Sequence, residues 1–308
     1  MARIEFLTKF VARVEHRPTG SRPTEPHVRV RWLGTAGHVI ETPTTTLLLD
    51  PFLTRPSLVD TVFRPVAPIP ERWGDWLPAR IDAVLLGHSH YDHVLDAPEI
   101  ARRTESRVVG SRTTASWAMA AGVPESGIDV VPASGRTLRI GDCTVRFVPS
   151  LHGRFAAGRV PFDGEVLTIP RLPARSFDYK MGGAFGIHVT TPAGAIYHNG
   201  SADLVDAQLD GLHADVLLLG LAGRHATPRY VERMTGLLRP AVLIPTHHDY
   251  FFGPMDSGPR LLPGINLGGF FADAARCAPS ARIVTPTYAD VVALPMQGSV
   301  RDVVVYAY

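Results

Sequence analysis

A chain of 308 residues that is 45% hydrophobic and 19% charged has an ordinary globular composition, with enough apolar material for a sizeable core. Its formal net charge of +2 leaves no electrostatic footprint for nucleic acid, so a nuclease or nucleic-acid-binding role is not expected. Two cysteines, Cys143 and Cys277, are too few for a disulfide framework and lack metal-ligand spacing, and both are read as buried thiols.

No apolar stretch is long enough to span a bilayer, and the N-terminus lacks the apolar region of a signal peptide, so the expected location is cytoplasmic. Ile4, Leu7, Phe10, Val11 and Val14 recur at helical spacing. They predict an amphipathic helix, which caps the domain more readily than it lies on a membrane. Residues 16–26 are a connector rich in Pro, Thr, Gly and Arg, so an extension over residues 1–27 precedes one domain over 28–308.

Strands begin at Val28. Residues 28–33 alternate, residues 34–37 turn, and residues 38–41 resume the strand, with His38 read as structural. Residues 46–49 form another apolar strand, closed by Asp50-Pro51. Residues 54–80 are an excursion whose Phe63, Trp73 and Trp76 either wall a pocket or pack on the body.

The apolar run at residues 81–86 reads as a buried strand, and His88-Ser89-His90-Tyr91-Asp92-His93 follows it. His88 and His90 are two apart and point the same way if the chain stays extended. Asp92 and His93 come as the backbone turns toward a helix near Ala97. Three imidazoles and a carboxylate at a strand end suit zinc, or iron and manganese when oxygen ligands are added. Further ligands should then stand just past other strands.

Residues 97–104 and 113–121 read as helices around a short strand at 108–110. Residues 138–142 and 144–149 are strands, and the second runs into His152, a histidine directly past a strand end. Residues 161–175 form a proline-rich loop of the lid or binding type. Arg154, Arg159, Arg171 and Arg175 either clamp an anion there or are solvated. Residues 184–190 and 195–198 make a hairpin, with His188 structural, and Asn199-Gly200-Ser201-Ala202-Asp203 follows. Residues 214–221 are a buried strand ending near Arg224 and His225. Residues 228–238 are helical, and residues 241–245 are the last strong strand before Thr246-His247-His248-Asp249. Arg154, His225 and His248 are the candidates for substrate contact, with specificity in residues 161–175 and 253–269.

The hexapeptide His88–His93 resembles the HxHxDH signature of the metallo-β-lactamase fold superfamily. That resemblance implies a four-layer αββα sandwich, an α/β (α+β) fold, with one or two metals along one edge. Asp50 resembles the aspartate that braces the metal loop, His152 the lone histidine of the third motif, and His247 the terminal histidine. The Pro-Thr-His-x-Asp form around His247 is similar to the branch of ascorbate-6-phosphate lactonases and N-acyl-phosphatidylethanolamine phospholipases. The fourth motif departs from the pattern, because Gly200 is followed by Ser201 where the superfamily has a bridging aspartate. Either Asp203 reaches back to bridge, or the bridge is lost.

The ligand set implied is His88, His90 and His152 for one ion and Asp92, His93 and His247 for the other, with Asp203 between them if it reaches. Zinc is favoured by the histidine count. Metal-bound hydroxide would attack a small ester, lactone or phosphodiester, with Asp92 as the catalytic group that orients the nucleophile or carries its proton. The alternatives are a non-catalytic metal-binding or sensor protein, and a lipid phosphodiesterase.

Overall fold

A computed structural model describes residues 20–25, 27–155 and 158–308; the helix expected over residues 4–14 lies outside them. The alternating run after the connector forms β1 (His27–Trp32), antiparallel to β2 (His38–Glu41), which pairs in turn with β3 (Thr46–Leu49). The excursion that follows contains α1 (Leu58–Phe63) and the two-residue β4 (Pro65–Val66). Trp73 in this excursion is buried and donates its indole N–H to Asp96 (3.2 Å), so it packs on the body. Then come β5 (Ala83–Leu85), α2 (Tyr91–Val94), α3 (Ala97–Thr104), β6 (Arg107–Gly110), α4 (Arg112–Ala120) and β7 (Ile128–Val130).

The second half supplies β8 (Arg136–Ile140), β9 (Cys143–Pro149), β10 (Ala174–Arg175), β11 (Phe185–Thr191), β12 (Gly194–Asn199), α5 (Asp206–Leu209), β13 (Val216–Gly220), α6 (Tyr230–Leu238) and β14 (Val242–Thr246). The expectation that this is the last strong strand is corrected, since the six-residue β16 is almost wholly buried. Beyond it lie α7 (Leu267–Cys277), β15 (Arg282–Ile283), β16 (Asp290–Pro295) and β17 (Val304–Ala307). β16 pairs with β1, returning the end of the chain to the first sheet.

One sheet runs β17-β16-β1-β2-β3-β5-β6-β7 and the other β15-β14-β13-β12-β11-β9-β8, with β10 and β4 a separate small ladder. Side-chain alternation decides the layering. Leu47, Leu49, Val216 and Leu218 point into a cluster between the sheets. Leu48 and Val84 point outward onto Ile100 of α3 and Trp117 of α4. Leu217 and Leu219 point outward onto Met234 of α6 and Phe270 of α7. Strands covered on both faces read as continuous apolar runs, which is why β5, β13 and β14 were legible. The result is four layers, helix–sheet–sheet–helix. Cys143 is buried as expected, whereas Cys277, at the end of α7, is only partly covered.

β3, β5 and β6 are mutually parallel, as are β12, β13 and β14. Their C-terminal ends share one edge of the sandwich, the usual place for a ligand in such sheets.

Candidate metal centre

β5 delivers the hexapeptide to this edge. The amide of Gly87 donates to Oδ1 of Asp50 at 2.7 Å, tying the end of β5 to the end of the neighbouring strand. A Cβ at Gly87 would come within 3.1 Å of Asp50 Oδ2 and 3.2 Å of the Phe185 carbonyl oxygen, so a side chain there would crowd the brace. The chain stays extended through His90 (φ −64°, ψ 154°), and α2 then turns Asp92 and His93 inward.

Two ligand groups result. One nitrogen each from His88, His90 and His152 lie within 4.8 Å of one another, and donor atoms of Asp92, His93 and His247 do the same. Asp92 Oδ2 is 3.3 Å from Nε2 of His247 and 3.9 Å from Nε2 of His93. The rings of His88 and His93 are 3.8 Å apart, which sets the two groups side by side.

Burial pushes His88 well below the ordinary imidazole range, with His93, His90 and His152 adding to the effect. Burial, then His152, takes His90 down to about 3, and burial takes His152 to about 4. All three are therefore neutral at physiological pH, the form that binds metal. Burial alone would raise Asp92, but His93 and His247 hold it well below the usual carboxylate range. Burial would lower His93, yet Asp50 and Asp92 outweigh it and raise it. Buried ring nitrogens of His88, His90 and His247 have no hydrogen-bond partner, as donors reserved for an ion would. These residues fit a divalent cation such as zinc, iron or manganese.

Second contacts orient the ligands. His152 Nδ1–H donates to the Gly153 carbonyl at 2.7 Å, which leaves Nε2 as the ligand atom. Asp50 lies where the sequence placed it, with Oδ2 3.2 Å from His93 Nδ1 and 2.8 Å from His198 Nε2. His247 has φ +50° and donates its amide to the Thr35 carbonyl at 2.7 Å. Two residues on, the buried Asp249 carboxylate accepts from the Thr35 amide (2.8 Å), Arg55 (2.6 Å) and the Tyr288 hydroxyl (2.6 Å). Gly34 passes over this pair at φ +77°, where a Cβ would sit 1.7 Å from the Arg55 guanidinium. Sequence reasoning missed Arg55, Tyr288 and His198. The first two stand in irregular segments with no period, and the third is the penultimate residue of an apolar strand.

The remaining predicted residues fall elsewhere. Asp203 belongs to neither ligand group: its Oδ1 accepts from the Leu204 amide at 2.8 Å. Ala202, at φ +56°, turns the chain so that Asp203 folds over its own backbone. Ser201 donates to the Leu151 carbonyl (2.9 Å) and Asn199 Oδ1 (3.0 Å), and its carbonyl accepts from the Gly153 amide. The 199–203 turn thus braces the His152 loop and brings no carboxylate to either group.

His248, expected to contact substrate, is buried and stacked on Trp32 at 4.9 Å, because the left-handed turn at His247 sends it back under β1. Arg154 is exposed and does not line the cavity beside the ligands. His225 is also exposed, 6.5 Å edge-on from Phe155, so it stands at the rim. Arg224 is engaged by Asp273 at 3.0 Å. That cavity, of about 260 Å³, is walled by Tyr91, Phe155, Pro161, Phe162, Phe251 and Leu262 together with ligand residues.

Residues 45–248 match the family model described as a beta-lactamase superfamily domain. A UPF0173 metal-dependent hydrolase of Anaeromyxobacter dehalogenans is 31% identical over 231 residues, 72% of this chain and 75% of the relative. One from Pyrobaculum arsenaticum is 29% identical over 230 residues, 73% of this chain and 85% of the relative. In fold alone, the chain is similar to the metallo hydrolase Igni18 of Ignicoccus hospitalis (TM-score 0.58, 19% identity, 88% of this chain and 100% of that one). It is also similar to the diiron β-hydroxylase CmlA of Streptomyces venezuelae (TM-score 0.55, 14% identity, 89% and 55%).

Proposed function

The chain belongs to the metallo-β-lactamase fold superfamily, and from that premise we propose that it is a metal-dependent hydrolase of a small ester, lactone or phosphodiester. The observation that carries this reading is the pair of three-ligand groups standing side by side at the strand ends, beside a cavity.

An ion held by His88, His90 and His152, and a second held by Asp92, His93 and His247, would lower the pKa of water toward neutrality and polarise the bond under attack. The side chains do the rest. Asp92, ionised at neutral pH, accepts a hydrogen bond from the attacking water, orients it, and passes its proton toward the leaving group. Asp50 holds the Gly87 amide and the His93 ring, so the ligand loop is set before substrate arrives.

Metal analysis paired with a chromogenic panel of esters, lactones and phosphodiesters tests the reading. Turnover that is lost in His88→Ala together with bound metal is the expected result. A stoichiometrically loaded protein without turnover on any of them would sink it. That second outcome is what a non-catalytic metal-binding protein would give. One observation favours this alternative: Ser201 stands where the superfamily has a bridging carboxylate, and Asp203 does not replace it.

A further inference from the structure

The walls of the cavity bear on what the site would cut. Three aromatic rings sit directly on ligand histidines: Phe162 edge-on to His90 at 6.1 Å, Phe155 against His152 at 6.3 Å, and Phe251 against His247 at 5.7 Å. Apart from the ligand residues, Tyr91 is the one hydroxyl-bearing side chain that lines the cavity, and no lysine or arginine lines it among the described residues. Arg154 and Arg159 lie on the exposed side of their loop, Arg224 is paired with Asp273, and Arg55 is sealed beneath with Asp249.

Phe162 also has φ +47°. A bulky side chain in the left-handed region is strained and persists only where its surroundings enforce it. Here Phe162 is anchored through its carbonyl, which accepts from the Met181 amide at 3.0 Å. Met181 is in turn tied to the hexapeptide, since its carbonyl accepts from the Ser89 amide at 2.9 Å. The loop over residues 161–175 is therefore anchored to the metal loop itself, and the ring is aimed at His90.

A phosphodiester brings a charged group with two non-bridging oxygens, which want convergent guanidinium or amide donors beyond the ions. Beyond the ligand residues, this cavity is lined by aromatic and apolar side chains, with no guanidinium or ammonium group among the described residues. At about 260 Å³ it also falls below the roughly 300–1,000 Å³ of sites for drug-sized ligands.

We propose that the site takes a small, uncharged carboxylic ester or lactone with an apolar acyl group, and that Phe155 and Phe162 are the residues that select it. This rests on the hydrolase reading above. In the reaction the water oxygen forms a bond to the acyl carbon and the acyl–oxygen bond breaks. The water's proton goes to the departing alkoxide, giving the acid and the alcohol.

The test compares p-nitrophenyl acetate, butyrate and octanoate, γ-butyrolactone and an alkyl-substituted lactone with bis(p-nitrophenyl) phosphate, using metal-loaded protein and subtracting the His88→Ala rate. The expected result is a butyrate kcat/KM at least tenfold above acetate and at least a hundredfold above the phosphodiester. Phe162→Ala and Phe155→Ala should each collapse the butyrate-to-acetate ratio while metal content stays constant. A phosphodiester cleaved faster than every ester and lactone overturns the proposal and leaves the hydrolase reading standing, and so does an acyl-chain preference that survives both substitutions. If nothing in the panel is cleaved, the hydrolase reading falls. Calorimetric binding of butyrate against dimethyl phosphate then decides the cavity's preference without turnover. Tighter butyrate supports an apolar acyl site, whereas tighter or equal dimethyl phosphate overturns it.

Discussion

Oδ2 of Asp50 lies 2.8 Å from Nε2 of His198, with both side chains completely buried and 148 positions apart in the sequence. The same oxygen is 3.2 Å from Nδ1 of His93. One carboxylate thus couples the end of the second sheet to a ligand of the first. Burial alone would raise Asp50, but His93 and His198 hold it well below the usual carboxylate range, so it is ionised whenever the protein is folded near neutral pH. Partners of this kind typically contribute 10–100-fold in metal affinity. Asp50→Ala is expected to weaken binding by about that factor, and His198→Phe by less, in competition titrations with a chromogenic zinc chelator. An Asp50→Ala affinity within twofold of the parent would refute the role.

Asp203 is expected to be dispensable for metal. Because its carboxylate caps the Leu204 amide, Asp203→Ala should leave the metal-to-protein ratio unchanged and cost about 1 kcal/mol of stability. Asp92→Ala, in contrast, should lower the ratio. Elemental analysis after dialysis separates the two, and loss of metal in Asp203→Ala would show that the carboxylate swings into the site.

The Arg55–Asp249 pair holds the turn that carries His247, at 2.6 Å and with both side chains nearly inaccessible. Removing one member of a buried pair leaves an uncompensated charge and costs about 3–5 kcal/mol. Arg55→Met should therefore lower the unfolding free energy of the apo-protein by that amount in urea titrations, and should also weaken metal binding through His247. A loss under 1 kcal/mol would mean that water or Tyr288 compensates Asp249 unaided.

Acid should destabilise the apo-protein early. Burial takes His38 and His90 to about 3 and His152 and His248 to about 4, against about 6.5 in the unfolded chain. As pH falls below about 6.5 the unfolded state binds protons that the folded state refuses. Stability is therefore present above that value and is lost toward pH 4, by up to about 1.4 kcal/mol per pH unit for each imidazole. His93, whose pKa is raised, works in the opposite sense: its contribution is present at low pH and lost as pH rises. Burial pushes His88 down as well, and five lowered imidazoles against one raised leave a net fall. Urea midpoints at pH 7, 6 and 5 check it, and a flat profile would contradict the buried neutral state of these rings.

The sequence by itself determined the parts of this protein that are local. An apolar run, an extended His-x-His and a one-turn helix follow from neighbouring residues, so the candidate ligands after β5 and on α2 were readable from period and spacing. His152 and His247 were readable as histidines just past strands. The αββα layering followed from the resemblance those motifs carry. Tertiary structure alone decided what depends on backbone handedness and on distant partners. The left-handed turn at Ala202 faces Asp203 away from the ligands, and the one at His247 buries His248 under Trp32. Arg55 finds Asp249 across 194 residues, and β16 returns to pair with β1 at the far end of the chain. A period reports which face a side chain takes within one element. It carries no information on the φ of a single turn residue, nor on which charge a fold brings to a buried carboxylate, and those two quantities settle which side chains reach the candidate metal centre.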